Sequence, residues 1–177
     1  MATTQFLFSG FGGQGILFAG KFVAYKGLTE DKQVSWLPSY GPEMRGGTAS
    51  CSVIISDEPV GSPIVQKPDV LVALNLPSLD KFENDVKPGG YIFADSTLIE
   101  RKVNRDDVNV FYIPATGLAS DNGIPTLANM IVMGKMLKEL GDYTAEGIEN
   151  GLSKVISAKR ADMKELNLKA LELGANY

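Results

Sequence analysis

The sequence predicts a single-domain α/β protein: an open, mostly parallel, Rossmann-like sheet with helices on both faces and a helical C-terminal third. Three observations carry this. A glycine-rich turn, Gly10-Phe11-Gly12-Gly13-Gln14-Gly15, stands between an apolar strand-like run and a helix-like segment. Val70-Leu71-Val72-Ala73-Leu74 is apolar at every position, as in a strand covered on both faces of a parallel sheet. From Thr126 onward the apolar residues recur at helical spacing. A chain of 177 residues without repeat, linker or low-complexity stretch holds these elements in one domain, 1–177.

Each element has its own reason. Gln5–Phe8 is a short aromatic and aliphatic run that reads as the first strand. Ile16–Leu28 is helical, with Ile16, Ala19, Phe22 or Val23 and Lys26 spaced along one buried face. Gln33–Leu37 and Thr48–Ser56 are strands, the second rich in β-branched residues. A polar, glycine-rich loop, Pro38–Gly47, separates them. Val70–Leu74 is the buried strand, and Pro77–Val86 a short helix with Pro77 in its first turn. Tyr91–Ala94 and Val108–Ile113 are two more strands. The last third holds a helix over Thr126–Leu140, one capped by Thr144, and one started by a capping-box-like Asp162–Glu165. Gly174 is placed to end that last helix as its C′ residue.

Composition excludes several functions. Lys and Arg number 17 against 21 Asp and Glu, so no basic field attracts nucleic acid or an anionic membrane. There is no histidine and one cysteine, Cys51. An iron–sulfur cluster, a zinc site or a Ser-His-Asp triad cannot be assembled from such a chain alone, and no metal-binding or catalytic residue is assigned. No disulfide can form within it, which fits a reducing, cytoplasmic setting. No basic residue precedes Lys21, as a secretory leader would require, and no apolar run approaches ~18 residues. Cys51 reads as a small buried residue.

The glycine turn fits G-x-G-x-x-G in its proper context, strand before and helix after. There it can present backbone N–H groups to a pyrophosphate, or simply let helix and sheet pack closely. The acidic residues about 20 positions on, Glu30 and Asp31, precede the second strand instead of ending it, so an ordinary NAD site is not expected. An overlapping Gly15-x4-Gly20-Lys21 pattern has Phe22 where a phosphate-binding loop needs Ser or Thr, and reads as helix.

Ser39-Tyr40-Gly41-Pro42-Glu43-Met44-Arg45-Gly46-Gly47 is the most informative stretch. It concentrates a hydroxyl, a phenol, a carboxylate, a guanidinium and three glycines. Arg45 has room for a flat bidentate contact with a carboxylate or phosphate; alternatively, Glu43 and Arg45 pair with each other. In an open α/β sheet, this loop and the glycine turn share the edge where ligands gather. Asn75 ends one strand at that edge and Asp95 with Ser96 another. Each serves a ligand or caps the next helix.

These residues resemble a known family. Gly10–Gly15 followed by Ala19-Gly20, Ser39–Gly47, Ser62-Pro63 and Pro68–Asn75 are similar, in order and across nearly the whole chain, to the gamma subunit of 2-oxoacid:ferredoxin oxidoreductases. The Tyr40–Gly47 version looks like gamma chains of the 2-oxoglutarate or branched-chain 2-oxoacid enzymes. The resemblance implies a subunit of a CoA-dependent complex that turns a 2-oxoacid into acyl-CoA and CO2 while reducing ferredoxin. Thiamine diphosphate, Mg2+ and 4Fe–4S clusters would sit in alpha, beta and delta partners, and none would be bound by this chain alone. No Gly-Asp-Gly…Asn-Asn thiamine pattern is found; Gly141-Asp142 continues with Tyr143. A CoA contact is implied for the cofactor-facing set Gly10, Gly12, Gly13, Gln14, Gly15, Ser39, Tyr40, Gly41, Glu43, Arg45, Gly46, Gly47 and Asn75. In isolation the chain is expected to be inactive and to associate with itself. A self-sufficient nucleotide-binding oxidoreductase built on Gly10–Gly15 is the alternative; a scaffold whose glycine turn binds nothing is a third.

Overall fold

A six-stranded sheet forms the centre of the computed structural model, which describes residues 2–39 and 48–177. Its strands are β1 (Thr3–Phe11), β2 (Gln33–Ser39), β3 (Thr48–Ser56), β4 (Val70–Ala73), β5 (Tyr91–Asp95) and β6 (Asn109–Ile113). They lie in the order β2-β3-β1-β4-β5-β6. β3 is antiparallel to both β1 and β2, while β1, β4, β5 and β6 pair in parallel. Every strand except β3 therefore points the same way, and the expected mostly parallel sheet is present.

The helices are α1 (Ile16–Thr29), α2 (Leu76–Phe82), α3 (Ala115–Asp121), α4 (Ala128–Glu139), α5 (Ala145–Val155) and α6 (Ala161–Ala175). They cover both faces unequally. On the first face Phe6, Phe8, Val53, Val72 and Phe93 pack against α1, α3 and α4, with α5 seated on α1 and α6 on α4. On the second, Leu79 of α2, Val86 and Ile99 cover Leu7, Leu71, Ala73, Ile92 and Ala94. No residue of β2 or β3 belongs to this second cluster.

Some expected boundaries move. α2 begins at Leu76 with Asn75 as its cap, and a 3-10 turn (Glu83–Asp85) takes the rest of the expected helix. The helix expected from Thr126 opens as a 3-10 turn, Pro125–Leu127, before α4. Thr144 caps α5, its hydroxyl accepting from Gly147 N at 3.2 Å. Asp162 does not cap α6: a 3-10 turn over Ala158–Arg160, opened by Ser157, leads straight into the helix. Gly174 lies inside α6, where it lets the backbone of α4 approach; Asn176 is the C-cap. α3 was not anticipated.

Candidate functional site

The strand register collects most of the candidate residues at one edge. Phe11 pairs with Thr48 and Gly10 with Ala49, while Ser50 of β3 stands opposite both Ser9 and Ser39. Leu74 and Asn75 follow β4 immediately beside β1. The glycine turn, Asn75 and both flanks of the second loop thus lie at the C-terminal edge of the parallel strands, where α/β folds place ligands. Tyr40, Gly41, Glu43, Arg45, Gly46 and Gly47 lie outside the described residues.

Within the turn, Gly13 (φ 93°) and Gly15 hold left-handed backbone, and Gly10 is closely packed. Gly15 N-caps α1 with φ 75°, a left-handed conformation, and the Asn129 side chain lies against it, donating from Nδ2 to Gly15 O at 3.0 Å. A Cβ at Gly10 would meet Gln14 Oε1 at 2.6 Å, Ile16 Cδ1 at 2.9 Å and Leu74 Cβ at 3.1 Å. Gln14 spans the gap between the ends of β1 and β4. Its Oε1 accepts from Phe11 N at 2.6 Å and its Nε2 donates to Leu74 O at 3.0 Å. That gap is the point where the strand order reverses, and this side chain occupies it.

Next to Gln14 is a cleft of about 190 Å³ reached by Gly13, Leu74, Asp95, Leu98 and Thr116. It is smaller than the ~300–1,000 Å³ of ordinary small-molecule pockets. Asp95, 1% exposed, accepts from Thr97 N at 3.1 Å, Thr116 N at 3.2 Å and Thr116 Oγ1 at 2.6 Å. It caps α3 from the end of β5. None of the described lining residues is basic. A buried carboxylate with no cation beside it repels a pyrophosphate, so this cleft by itself does not fit a dinucleotide or CoA. Thr116 and Leu98 were missed by the sequence reading, since α3 is short and its capping acid comes from the neighbouring strand, β5.

Asn75 is the cap of α2: its Oδ1 accepts from Ser78 N at 2.8 Å. Ser9, wholly buried, donates to either Ser78 Oγ at 2.9 Å or Ala49 O at 3.3 Å. Cys51 packs against Gly20 beneath Trp36, and burial pushes its thiol up to about 12, too high for a nucleophile at neutral pH. The Gly20-Lys21 step is mid-helix, as read from the sequence. Among the described residues no group of three or more His, Cys, Asp and Glu could hold a metal ion. No helix there is long and apolar enough to cross a membrane. The edge is therefore equipped to bind and to position, by hydrogen bonds and apolar contact.

Comparison with known proteins follows the same lines. A family model described as pyruvate ferredoxin/flavodoxin oxidoreductase matches residues 5–177. The ketoisovalerate oxidoreductase subunit VorA of Methanothermobacter thermautotrophicus is 42% identical over 170 residues, covering 96% of this chain and 35% of that protein. The chain thus spans about a third of the length of that relative. The 2-oxoglutarate synthase subunit KorC of Methanocaldococcus jannaschii is 36% identical over 169 residues, 94% of this chain and 89% of that protein. In a crystal structure, the gamma subunit of keto/oxoacid ferredoxin oxidoreductase from Geobacter sulfurreducens superposes with TM-score 0.81 at 31% identity, covering 97% of this chain and 95% of that one.

Proposed function

We propose a function for a chain that belongs to the pyruvate ferredoxin/flavodoxin oxidoreductase family. It serves as the gamma-type subunit of a multi-subunit, CoA-dependent 2-oxoacid:ferredoxin oxidoreductase. The complex decarboxylates a 2-oxoacid, passes the electrons to ferredoxin and transfers the acyl group to CoA. Thiamine diphosphate, Mg2+ and iron–sulfur clusters would be held by alpha, beta and delta partners. With no histidine and a single buried cysteine, this chain does not fit an iron–sulfur cluster, and among the described residues no group of three or more His, Cys, Asp and Glu could hold Mg2+. The reading places the complex in the cytoplasm.

One observation carries the assignment of a role to this chain. The glycine turn, Asn75 and the two flanks of the Ser39–Gly47 loop converge on one edge whose side chains can bind but not react. The cleft beside Gln14 is too small and too rich in acceptors for CoA. An anion approaching this edge would be met by the Ser39–Gly47 loop, in which the sequence supplies the guanidinium of Arg45. In the assembled complex, Arg45→Ala raises the apparent KM for CoA about tenfold or weakens assembly, as expected for loss of a charge-assisted contact. Steady-state kinetics on the purified complex reads this. Unchanged KM with unchanged assembly would remove Arg45 from the role.

A further inference from the structure

The second face of β1, β2 and β3 carries Thr3, Gln5, Leu7, Ser9 and Phe11, then Thr48, Ser50, Ser52, Ile54 and Ser56, then Gln33, Ser35, Leu37 and Ser39. None is charged, in a chain that is 21% Asp, Glu, Lys and Arg. The cover supplied by α2 stops at β1, where it buries Leu7 and Ser9; on β3, Ile54 and Ser56 are buried as well. Beyond that cover Leu37 and Phe11 are each 39% exposed, Ser39 is exposed, and Thr48, Ser50 and Ser52 are half-buried. Water-facing sheet surfaces ordinarily alternate apolar-in with charged or polar-out, and charge depletion marks the cores of protein interfaces. The hydroxyls of Ser39 and Ser50 lie between the Leu37–Ser52 row and Phe11, with Leu7 and Ser9 buried beside them under α2, so the surface offers apolar anchors around a band of hydrogen-bonding groups.

We propose that this neutral face of β1–β3 is where the subunit docks on the remainder of its oxidoreductase, onto an uncharged protein surface that seats an apolar side chain beside Leu37 and Phe11. The proposal deepens the subunit reading and rests on it. In the ketoisovalerate relative this domain is 35% of a longer chain, so that protein holds it beside further polypeptide in a single molecule. A subunit without that covalent link recovers such a neighbour through a surface. The outer edge of β2 is a poorer route, because Pro38 in that strand has no N–H to donate to an added strand. A second copy joined edge to edge is disfavoured for the same reason. The face also runs up to Phe11, Thr48 and Ser39, the rim of the candidate site, so a partner seated there extends that site.

The test uses the full chain, affinity-tagged and co-expressed with the other subunits of its oxidoreductase. Leu37→Glu and Ser52→Glu place a charge on the face, and Leu166→Glu places one on α6, where Leu166 is equally exposed. Both face variants are expected to retain the wild-type melting curve as isolated chains and to lose at least tenfold of co-purified partner; Leu166→Glu assembles normally. Hydrogen exchange of the wild-type complex, which needs no variant, should show new protection over 33–39 and 48–56. The complex should persist from 0.05 to 1 M NaCl, since no ion pair holds this face. Normal assembly of both face variants, no added protection, or dissociation in salt would each overturn the docking surface. So would an isolated chain that dimerises through these strands, which makes the occupant a second copy. Failure of the wild-type chain to join any 2-oxoacid-oxidising complex would instead overturn the subunit reading itself.

Discussion

Lys26 sits 1% exposed inside the helical layer, its ammonium 2.7 Å from Glu30 and 2.8 Å from Asp142. Its stem packs against Gly151, and Gly147 admits the far end of the side chain. Removing both counter-charges strands the ammonium in a low-dielectric pocket, whereas removing the charge itself leaves only packing to replace. Glu30→Gln with Asp142→Asn is therefore expected to cost about 3 kcal/mol in urea unfolding, near the lower limit for such breaks because both carboxylates are partly solvated. Lys26→Met should stay within about 1 kcal/mol of wild type. An equal loss in both proteins would show that the stem, and not the charge, matters. The helical spacing of α1 places Lys26 on its buried face from sequence alone. Its partner Asp142 lies in the α4–α5 connection, and no local pattern links the two. Gln14 teaches the same lesson. The motif marks it as the residue of a ligand-binding turn, while the register of β4 turns it into a bridge to Leu74.

At the scale of elements, the contact of α4 with α6 was the least legible. Gly134 and Gly174 each face the backbone of the opposite helix: a Cβ at Gly134 would strike Leu171 O, and one at Gly174 would strike Ile131 O. Backbone cannot swing aside as a side-chain tip can, so a methyl group there separates the helices. Gly134→Ala is expected to destabilise the protein by about 3 kcal/mol, lowering Tm by roughly 6–12 °C in a chain of this size. A calorimetric scan measures it, and an unchanged Tm would mean that the helices can part without cost. Nothing in a one-dimensional pattern distinguishes a glycine that ends a helix from one that admits a neighbour, which is why Gly174 reads as a C′ residue. α3 escaped for a related reason. It is seven residues long, contains Gly117, and draws its capping carboxylate from Asp95 on another strand. The long periodic elements, α1 and the β4 run, were legible because burial on one or both faces writes a pattern that local reading can detect.

Across the whole molecule, the parallel strands were legible through the run Val70–Leu74, apolar on both faces, whereas the antiparallel placing of β3 was not. The short link between β2 and β3 suits antiparallel neighbours, whereas the parallel pairs need the crossovers that α1, α2 and the segment after β5 supply. That arrangement sets β3 against β1 and leaves the second face of β3 outside the helix-covered cluster. It also fixes what the isolated chain can do. Acyl transfer from a 2-oxoacid requires a group that stabilises the carbanion formed on decarboxylation and an acceptor for the electrons. Near the candidate edge the described residues present Asp95, capped into α3, and Cys51, a buried thiol held protonated. Neither can take up either task. The purified chain is therefore expected to show no CoA-dependent 2-oxoacid oxidation with ferredoxin or an acceptor dye, even when thiamine diphosphate and Mg2+ are added. Activity should appear on adding the other subunits. Turnover by the chain alone would move the chemistry onto the Gly10–Gly15 edge and return the molecule to a self-sufficient nucleotide-binding oxidoreductase.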